Sequence, residues 1–226
     1  MSEGLTHVPE GPVPASQGGA RLLDLIRVQA RLRAPGGCPW DAEQTHQTLA
    51  RHLLEETHEL LEAIDAEDSD AIRDELGDLL LQVTFHAQIA ADDGRWDVDD
   101  VAQGLVEKLI HRHPHVFGDA DAQTPEDVNA HWQRTKAVEK QRESVTDGIP
   151  LGQPGLALAA KLAGRVRTGG VAVGLPRGEG IGYELLELAA RAEAAGIDPE
   201  TALRAAARVF RDAIRAAEGV GAADTD

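Results

Sequence analysis

The chain has 226 residues, 42% of them hydrophobic and 27% charged, with a formal net charge of −17 at pH 7. Such a balance belongs to a soluble globular protein of one large or two small domains, and its acidity argues against nucleic-acid polymers and anionic membranes as partners. The single cysteine, Cys38, excludes an internal disulfide and suits a reducing compartment. No apolar run approaches the ~20 residues of a membrane span. The first 20 residues lack the basic start and apolar centre of a secretory signal. The expected location is cytoplasmic.

Aromatic residues make up only 3% of the chain, and Ala, Leu and Glu, all helix formers, are abundant. Residues 1–18 are rich in Gly, Pro and Ser and are expected to be disordered. A first helix is predicted from Ala20 to Leu32. The segment Arg33-Ala-Pro-Gly-Gly-Cys-Pro-Trp40-Asp41 reads as a rigid, turn-rich loop in which Trp40 is a packing anchor. A long helix is predicted from near Thr48. An acidic turn spans Asp65 to Asp70, with Ser69 or Asp70 as N-cap of the next helix. Asp92-Asp93-Gly94 breaks that helix, and Asp97 caps another from Val98 to Arg112, stopped by Pro114. Thr124-Pro-Glu-Asp127 reads as a capping box opening a polar helix, Val128 to Arg142. Helices are also predicted over Leu156 to Arg167, Tyr183 to Ala194 and Pro199 to Ala217. No stretch reads as a strand, so the fold class is all-α.

The stretch from Leu53 to Ile89 organises the rest. Glu56 and Glu59 are three apart on the first helix, and Glu75 and Asp78 three apart on the second, so each pair shares a helix face. The turn centres near Glu67. Residues 56 and 78 are equidistant from it, and so are 59 and 75. In an antiparallel hairpin the four carboxylates then face one another as two rungs of a ladder. Two carboxylates about 4 Å apart repel by roughly 4 kcal/mol at an effective dielectric near 20. Such a cluster calls for a divalent cation, or for some members to stay protonated. All-oxygen ligands favour Mg²⁺ or Mn²⁺ over zinc, and Mg²⁺ commonly shares substrate phosphates. From Leu76 to Ile89 the second helix is apolar nearly all round, which predicts burial and separates this Glu-x-x-Glu from one on a solvated face.

A weak internal repeat sets Gly77-Asp78-Leu-Leu beside Gly182-Tyr183-Glu-Leu and, with one gap, Asp97-Val-Asp beside Asp198-Pro-Glu. The second copy lacks the ligands: Gly180 stands at the position of Glu75, and Tyr183 at that of Asp78. Glu184 and Glu187 read as a solvated face. The alternating His111, His113 and His115 have no cysteine among them and are interrupted by Pro114, so they read as structural.

Four stretches closely resemble the MazG family of all-α nucleoside triphosphate pyrophosphohydrolases. They are Arg33-x-Pro-Gly-Gly-Cys-Pro-Trp-Asp-x-x-Gln-Thr-His46, Leu53-Leu-Glu-Glu-x-x-Glu59, Glu75-Leu-Gly-Asp-Leu-Leu-x-Gln-Val-x-Phe85 and Glu107-Lys-x-Ile-x-Arg-His-Pro-His-Val-Phe117. The match runs nearly continuously over about residues 20–140. The resemblance implies a helical bundle built on an antiparallel metal-binding hairpin, with a degenerate second repeat. It implies Mg²⁺, with Mn²⁺ as a substitute, held by Glu56, Glu59, Glu75 and Asp78. Glu55 joins them in the family signature, as a carboxylate that orients the attacking water or only supports the metal ligands. Lys108 and Arg112 would hold phosphates, and Trp132 would approach the nucleotide. The implied organisation is a disordered segment (1–18), a catalytic domain (19–145), a linker (146–182), a truncated ligand-free repeat (183–218) and a disordered tail (219–226).

The function implied is Mg²⁺-dependent hydrolysis of ribo- or deoxyribonucleoside triphosphates to monophosphate and pyrophosphate, serving nucleotide-pool housecleaning, in a homodimer. Two alternatives stand beside it. One is a carboxylate-bridged di-iron bundle, suggested by Glu43-x-x-His46 and Glu55-x-x-His58. The other is a non-catalytic nucleotide-binding or interaction protein, suggested by the ligand-free C-terminal half.

Overall fold

The computed structural model describes residues 19–118, 124, 127–128 and 143–220. All regular structure among these residues is helical. The chain divides into two compact units, residues 1–133 and 134–226. The first contains α1 (Ala20–Arg33), α2 (Pro39–Glu43), α3 (His46–Asp65), α4 (Ser69–Asp92), α5 (Val98–Arg112) and α6 (Pro114–Phe117). The second contains α7 (Gly155–Thr168), α8 (Ile181–Ala194) and α9 (Pro199–Ala217). No described helix is long and apolar enough to cross a membrane.

The α3–α4 hairpin is the frame of the first unit. Thr45 opens α3 with a reciprocal capping box: its hydroxyl accepts from the Thr48 amide at 3.2 Å, and Thr48 Oγ1 accepts from the Thr45 amide at 2.9 Å. The helix therefore starts at His46, two residues before the predicted position. It ends in a Schellman-type turn, with the Asp68 amide donating to Ala63 O at 3.1 Å. Asp68, rather than Ser69 or Asp70, caps α4, because its carboxylate accepts from the amides of both Asp70 and Ala71 at 3.0 Å. The predicted cap lies one or two residues too far along; in a run of acidic and hydroxyl residues any one could cap.

α4 packs against α3 and α1 around Leu49, Phe85 and Ile89, with Leu81 alongside. Arg33, at the end of α1, ties three elements together. It donates to the Asp92 carboxylate at 2.7 Å and to the carbonyls of Asp41 and Gln44, and its guanidinium lies 5.6 Å from the centre of the Phe85 ring. Residues 39–43, predicted as loop, form the short helix α2, with Pro39 in its first turn. The preceding turn needs Gly37, since a Cβ there would run into the carbonyl oxygens of Arg31 and Leu32. At the open end of the hairpin, His46 Nδ1 lies 2.7 Å from His86 Nδ1, and Arg95 Nη2 lies 3.1 Å from His46 Nε2.

The expected all-round burial of Leu76 to Ile89 is met on one side only. Phe85, Ala87 and Ile89 are buried, whereas Leu76, Leu80 and Val83, at i, i+4 and i+7, form an exposed stripe. Among the described residues α3, α1 and α5 pack against α4. α5 occupies its predicted residues, with Asp97 as N-cap accepting from the amides of Asp99 and Asp100. The Thr124–Asp127 box is present in both directions, at 3.1 and 3.2 Å. The helix expected after it, with Trp132, lies outside the described residues.

In the second unit α7 packs on α8 and α9. Arg167 and Glu193 pair at 2.6 Å across α7 and α8, with the Glu193 carboxylate passing over Gly164, where a Cβ would sit 2.7 Å from it. The predicted helix Leu156 to Arg167 is thus a packed element inside the stretch expected as a linker. Asp198 caps α9 through the Thr201 amide at 2.7 Å, as its repeat counterpart Asp97 caps α5.

Glu67 has a positive φ of 57° at the residue following the C-cap of α3. Glycine takes that conformation without a Cβ penalty. Glu67→Gly should stabilise the first unit by about 0.5–1 kcal/mol and raise its melting temperature by about 2–4 °C. Thermal denaturation followed by circular dichroism checks this, and an unchanged or lower midpoint would contradict it.

Candidate metal centre

The hairpin brings the predicted carboxylates together. Ligand oxygens of Glu56, Glu75 and Asp78 all lie within 4.8 Å of one another, and no other group of this kind forms among the described residues. Glu56 and Glu75 are partly buried and Asp78 is exposed. Glu59 belongs to the same assembly without completing the tightest group: its charge acts on both Glu56 and Glu75.

The electrostatic consequence is visible at two members. Burial pushes the Glu56 carboxyl above its ordinary range, and the charges of Asp78, Glu59 and Glu75 push it further. Glu75 is raised by burial, then by Glu59, Asp78 and Asp74. No cationic side chain is among the groups acting on either residue. An all-oxygen donor set, held close and short of positive charge, fits a hard divalent cation.

The remaining candidates fall elsewhere. Glu55 is outside the tightest group: it is exposed, and its carboxylate lies 3.1 Å from His52 Nδ1. Lys108 is exposed on α5, while Arg112, one turn later, is buried. α5 packs on α4 and α6. His46 is engaged with His86 and Arg95. Glu43-x-x-His46 therefore does not converge on the carboxylates, and the only multi-ligand cluster among the described residues contains no histidine, unlike a di-iron site. Glu184 and Glu187 are exposed and form no such cluster.

Two residues that sequence reasoning did not single out share the helix faces of the carboxylates: His52 lies four residues before Glu56 and Gln82 four after Asp78, and Trp40, read as a packing anchor, stands edge-on to His52. The i, i+4 spacing was the available signal for the first two; Trp40 arrives from a separate element and carries none.

With this geometry in hand, comparison with known proteins is decisive. A family model described as MazG nucleotide pyrophosphohydrolase domain matches residues 44–117. A nucleoside triphosphate pyrophosphohydrolase/pyrophosphatase MazG of Thermotoga maritima is 37% identical over 219 residues, covering 86% of this chain and 84% of that protein. The chain belongs to the MazG family. The nucleoside triphosphate pyrophosphohydrolase of Mycobacterium tuberculosis is 44% identical over 207 residues, 91% of this chain but 60% of that longer protein. An uncharacterized 26.1 kDa protein of Streptomyces cacaoi is 60% identical over 205 residues, covering 89% of this chain and 84% of that protein.

A carboxyl with a raised folded-state pKa binds its proton more tightly folded than unfolded. Its cost to stability is absent in acid, where both states are protonated, and grows as pH rises through the carboxylate range. Glu56→Gln should therefore stabilise the protein in EDTA near neutral pH, with the gain vanishing towards about pH 4. Thermal unfolding of both proteins across that range tests this; a mutant no more stable than wild type at neutral pH would show that the cluster carries no net repulsion.

Proposed function

We propose that this MazG protein hydrolyses nucleoside triphosphates to nucleoside monophosphate and pyrophosphate, with Mg²⁺ at Glu56, Glu59, Glu75 and Asp78. The convergence of Glu56, Glu75 and Asp78, with Glu59 acting on two of them, is the observation that carries the reading. The names of the Thermotoga and mycobacterial relatives support the same activity. Mn²⁺ is the expected substitute. When bound, the metal supplies charge neutralisation of the triphosphate and a lowered pKa for water.

The chain's own residues then position and hold. Water oxygen bonds to phosphorus, the bridging oxygen between the α- and β-phosphates leaves with pyrophosphate, and the water's proton passes to a carboxylate. Glu55, carried over from the family signature, takes that role through a side-chain rotation away from His52, or a metal-ligand carboxylate takes it directly. Lys108 and Arg112 hold phosphate, and Trp132 approaches the nucleotide, on the same carry-over. The physiological role is housecleaning of the nucleotide pool in the cytoplasm. The catalytic domain spans residues 19–145, and the repeat at 183–218 carries no ligands.

A homodimer completes the site. The exposed stripe Leu76, Leu80 and Val83, together with Leu53 and Leu54 of α3, is the apolar surface a second hairpin would cover.

Glu59→Gln and Asp78→Asn should each abolish Mg²⁺-dependent pyrophosphate release from a panel of normal and oxidised nucleoside triphosphates, while helical content is retained. Near-normal turnover in either variant would remove the carboxylate ladder as the active site. For assembly, light scattering at micromolar concentration should give twice the chain mass; a fully active monomer would exclude the dimer.

A further inference from the structure

The second unit repeats part of the first. Arg33, in the last turn of α1, pairs with Asp92 at the end of α4; Arg167, in the last turn of α7, pairs with Glu193 in the last turn of α8. Each arginine closes a matching triplet, Arg31-Leu-Arg33 and Arg165-Val-Arg167, shortly before a Gly-Gly pair. α7 and α8 therefore pack with the same ends together as α1 and α4 do. What lies between the paired helices differs. In the first unit residues 34–68 include α2 and α3; in the second, residues 169–180 are a short strap with no helix.

With Tyr183 at the position of Asp78, Leu186, Ala190 and Ala194 of α8 stand where α4 has Leu81, Phe85 and Ile89. Those three, with Leu49 of α3, form the core of the first unit. The second unit thus has alanine in place of Phe85 and of Ile89, and no counterpart of the helix that brings Leu49. A cavity of about 410 Å³ lies at this position. Its α8 wall is made of these same three residues, with Ala163 and Val166 of α7 and Leu175 of the strap also lining it. Every lining side chain is apolar except Arg167 and Glu193, which satisfy each other through hydrogen bonds of 2.6 and 3.2 Å. The strap is tied at both ends. The Val171 amide donates to Val166 O at 3.2 Å, and Gly178 lies so close to Tyr183 that a Cβ would run into the ring. Between those ties Leu175 stays 44% exposed, so the cover is partial and leaves an entrance.

We infer that the cavity bounded by α7, α8 and the strap binds a neutral, apolar small molecule, one with an aromatic ring or branched hydrocarbon seated where the first unit keeps its own core side chains. The volume falls within the range of small-molecule sites, about 300–1,000 Å³. Water gains little there, because the walls offer it no polar partner beyond a closed ion pair. A charged ligand, a nucleoside triphosphate above all, would lose its hydration without compensation. The ion pair suits one acceptor group on the ligand, since a guanidinium has more N–H groups than one carboxylate uses.

The test uses the full chain and prodan, a neutral naphthalene with one ketone whose emission shifts to the blue in apolar surroundings. One equivalent should bind per chain, with that shift. Ala190→Phe and Ala194→Ile restore the residues of the first unit and fill the cavity; each should weaken binding about 10-fold or more. Circular dichroism checks that both remain folded. Leu105→Ser, on the exposed face of α5, should bind as wild type does. In wild-type protein, hydrogen exchange should slow at residues 171–176 when prodan is added, a readout that needs no variant. Unaltered binding in the folded cavity-filling variants overturns the proposal, as does the absence of protection at the strap. Binding that vanishes as chain concentration rises through the micromolar range also overturns it, because a second copy would then be what covers the cavity.

Discussion

Like charges held together by a helix hairpin are the constraint on which the rest of the first unit depends. Burial, and then the charges of Asp78 and Glu59, raise the carboxyls of Glu56 and Glu75, and no cation among the described residues is among the groups acting on either. The hairpin must therefore be fixed at both ends. At the closed end, the Schellman turn and the Asp68 cap satisfy the backbone groups of both helices. At the open end, Arg33 binds α1, α2 and α4 together, and His46, His86 and Arg95 join the start of α3 to α4 and to the turn after it. Between the ends, Leu49, Phe85 and Ile89 supply the packing that holds the two helices side by side. Phe85 serves two neighbours at once, with the Arg33 guanidinium near its ring and the Trp40 indole against it.

The same hairpin explains why so much apolar surface remains open. A face covered with carboxylates cannot also be a hydrophobic seam, so core-forming residues are displaced to other faces of the same helices. Leu76, Leu80 and Val83 end up exposed on α4, as do Val101, Leu105 and Leu109 at i, i+4 and i+8 on α5. In the second unit the pattern recurs without the ligands: Leu203, Phe210 and Ile214 of α9 and Leu185 and Leu188 of α8 are open to solvent. Both units thus present surfaces larger than the scattered apolar residues of an ordinary monomer.

Local signals were the legible ones. The pairs 56/59 and 75/78 and their mirror symmetry about Glu67 are properties of spacing, and the structure brings three of the four within ligand distance of one another. Asp97 before Val98 marked a helix start because a capping aspartate acts on amides two or three residues away, and Asp198 before Pro199 proves to do the same. Trp40 was read as a packing anchor because a tryptophan in a Pro- and Gly-rich turn ordinarily serves as one. Its exposure depends on α2 forming from only five residues, on Arg33 reaching their carbonyls, and on where α3 and α4 stand. None of these is a periodicity. The half-exposed α4 was missed for a related reason: a run of apolar residues states that burial is needed, and not which chain provides it.

One consequence of the histidine junction concerns proton placement. A guanidinium only donates, so the Arg95 contact makes His46 Nε2 an acceptor and places the single imidazole proton of neutral His46 on Nδ1. That proton points at His86 Nδ1, which must accept, leaving the His86 proton on Nε2. The ring centres are 5.0 Å apart with planes 9° from parallel, which, with 2.7 Å between the nitrogens, describes two imidazoles edge to edge in a common plane. Burial, and then His46, lowers the proton affinity of His86. A third proton has no vacant nitrogen except those already accepting, so taking it up means expelling either Arg95 or the partner ring. The loop after α4, the first residue of α3 and the middle of α4 therefore share one protonation state, and the tautomer of one imidazole is written by an arginine 49 residues away in the chain.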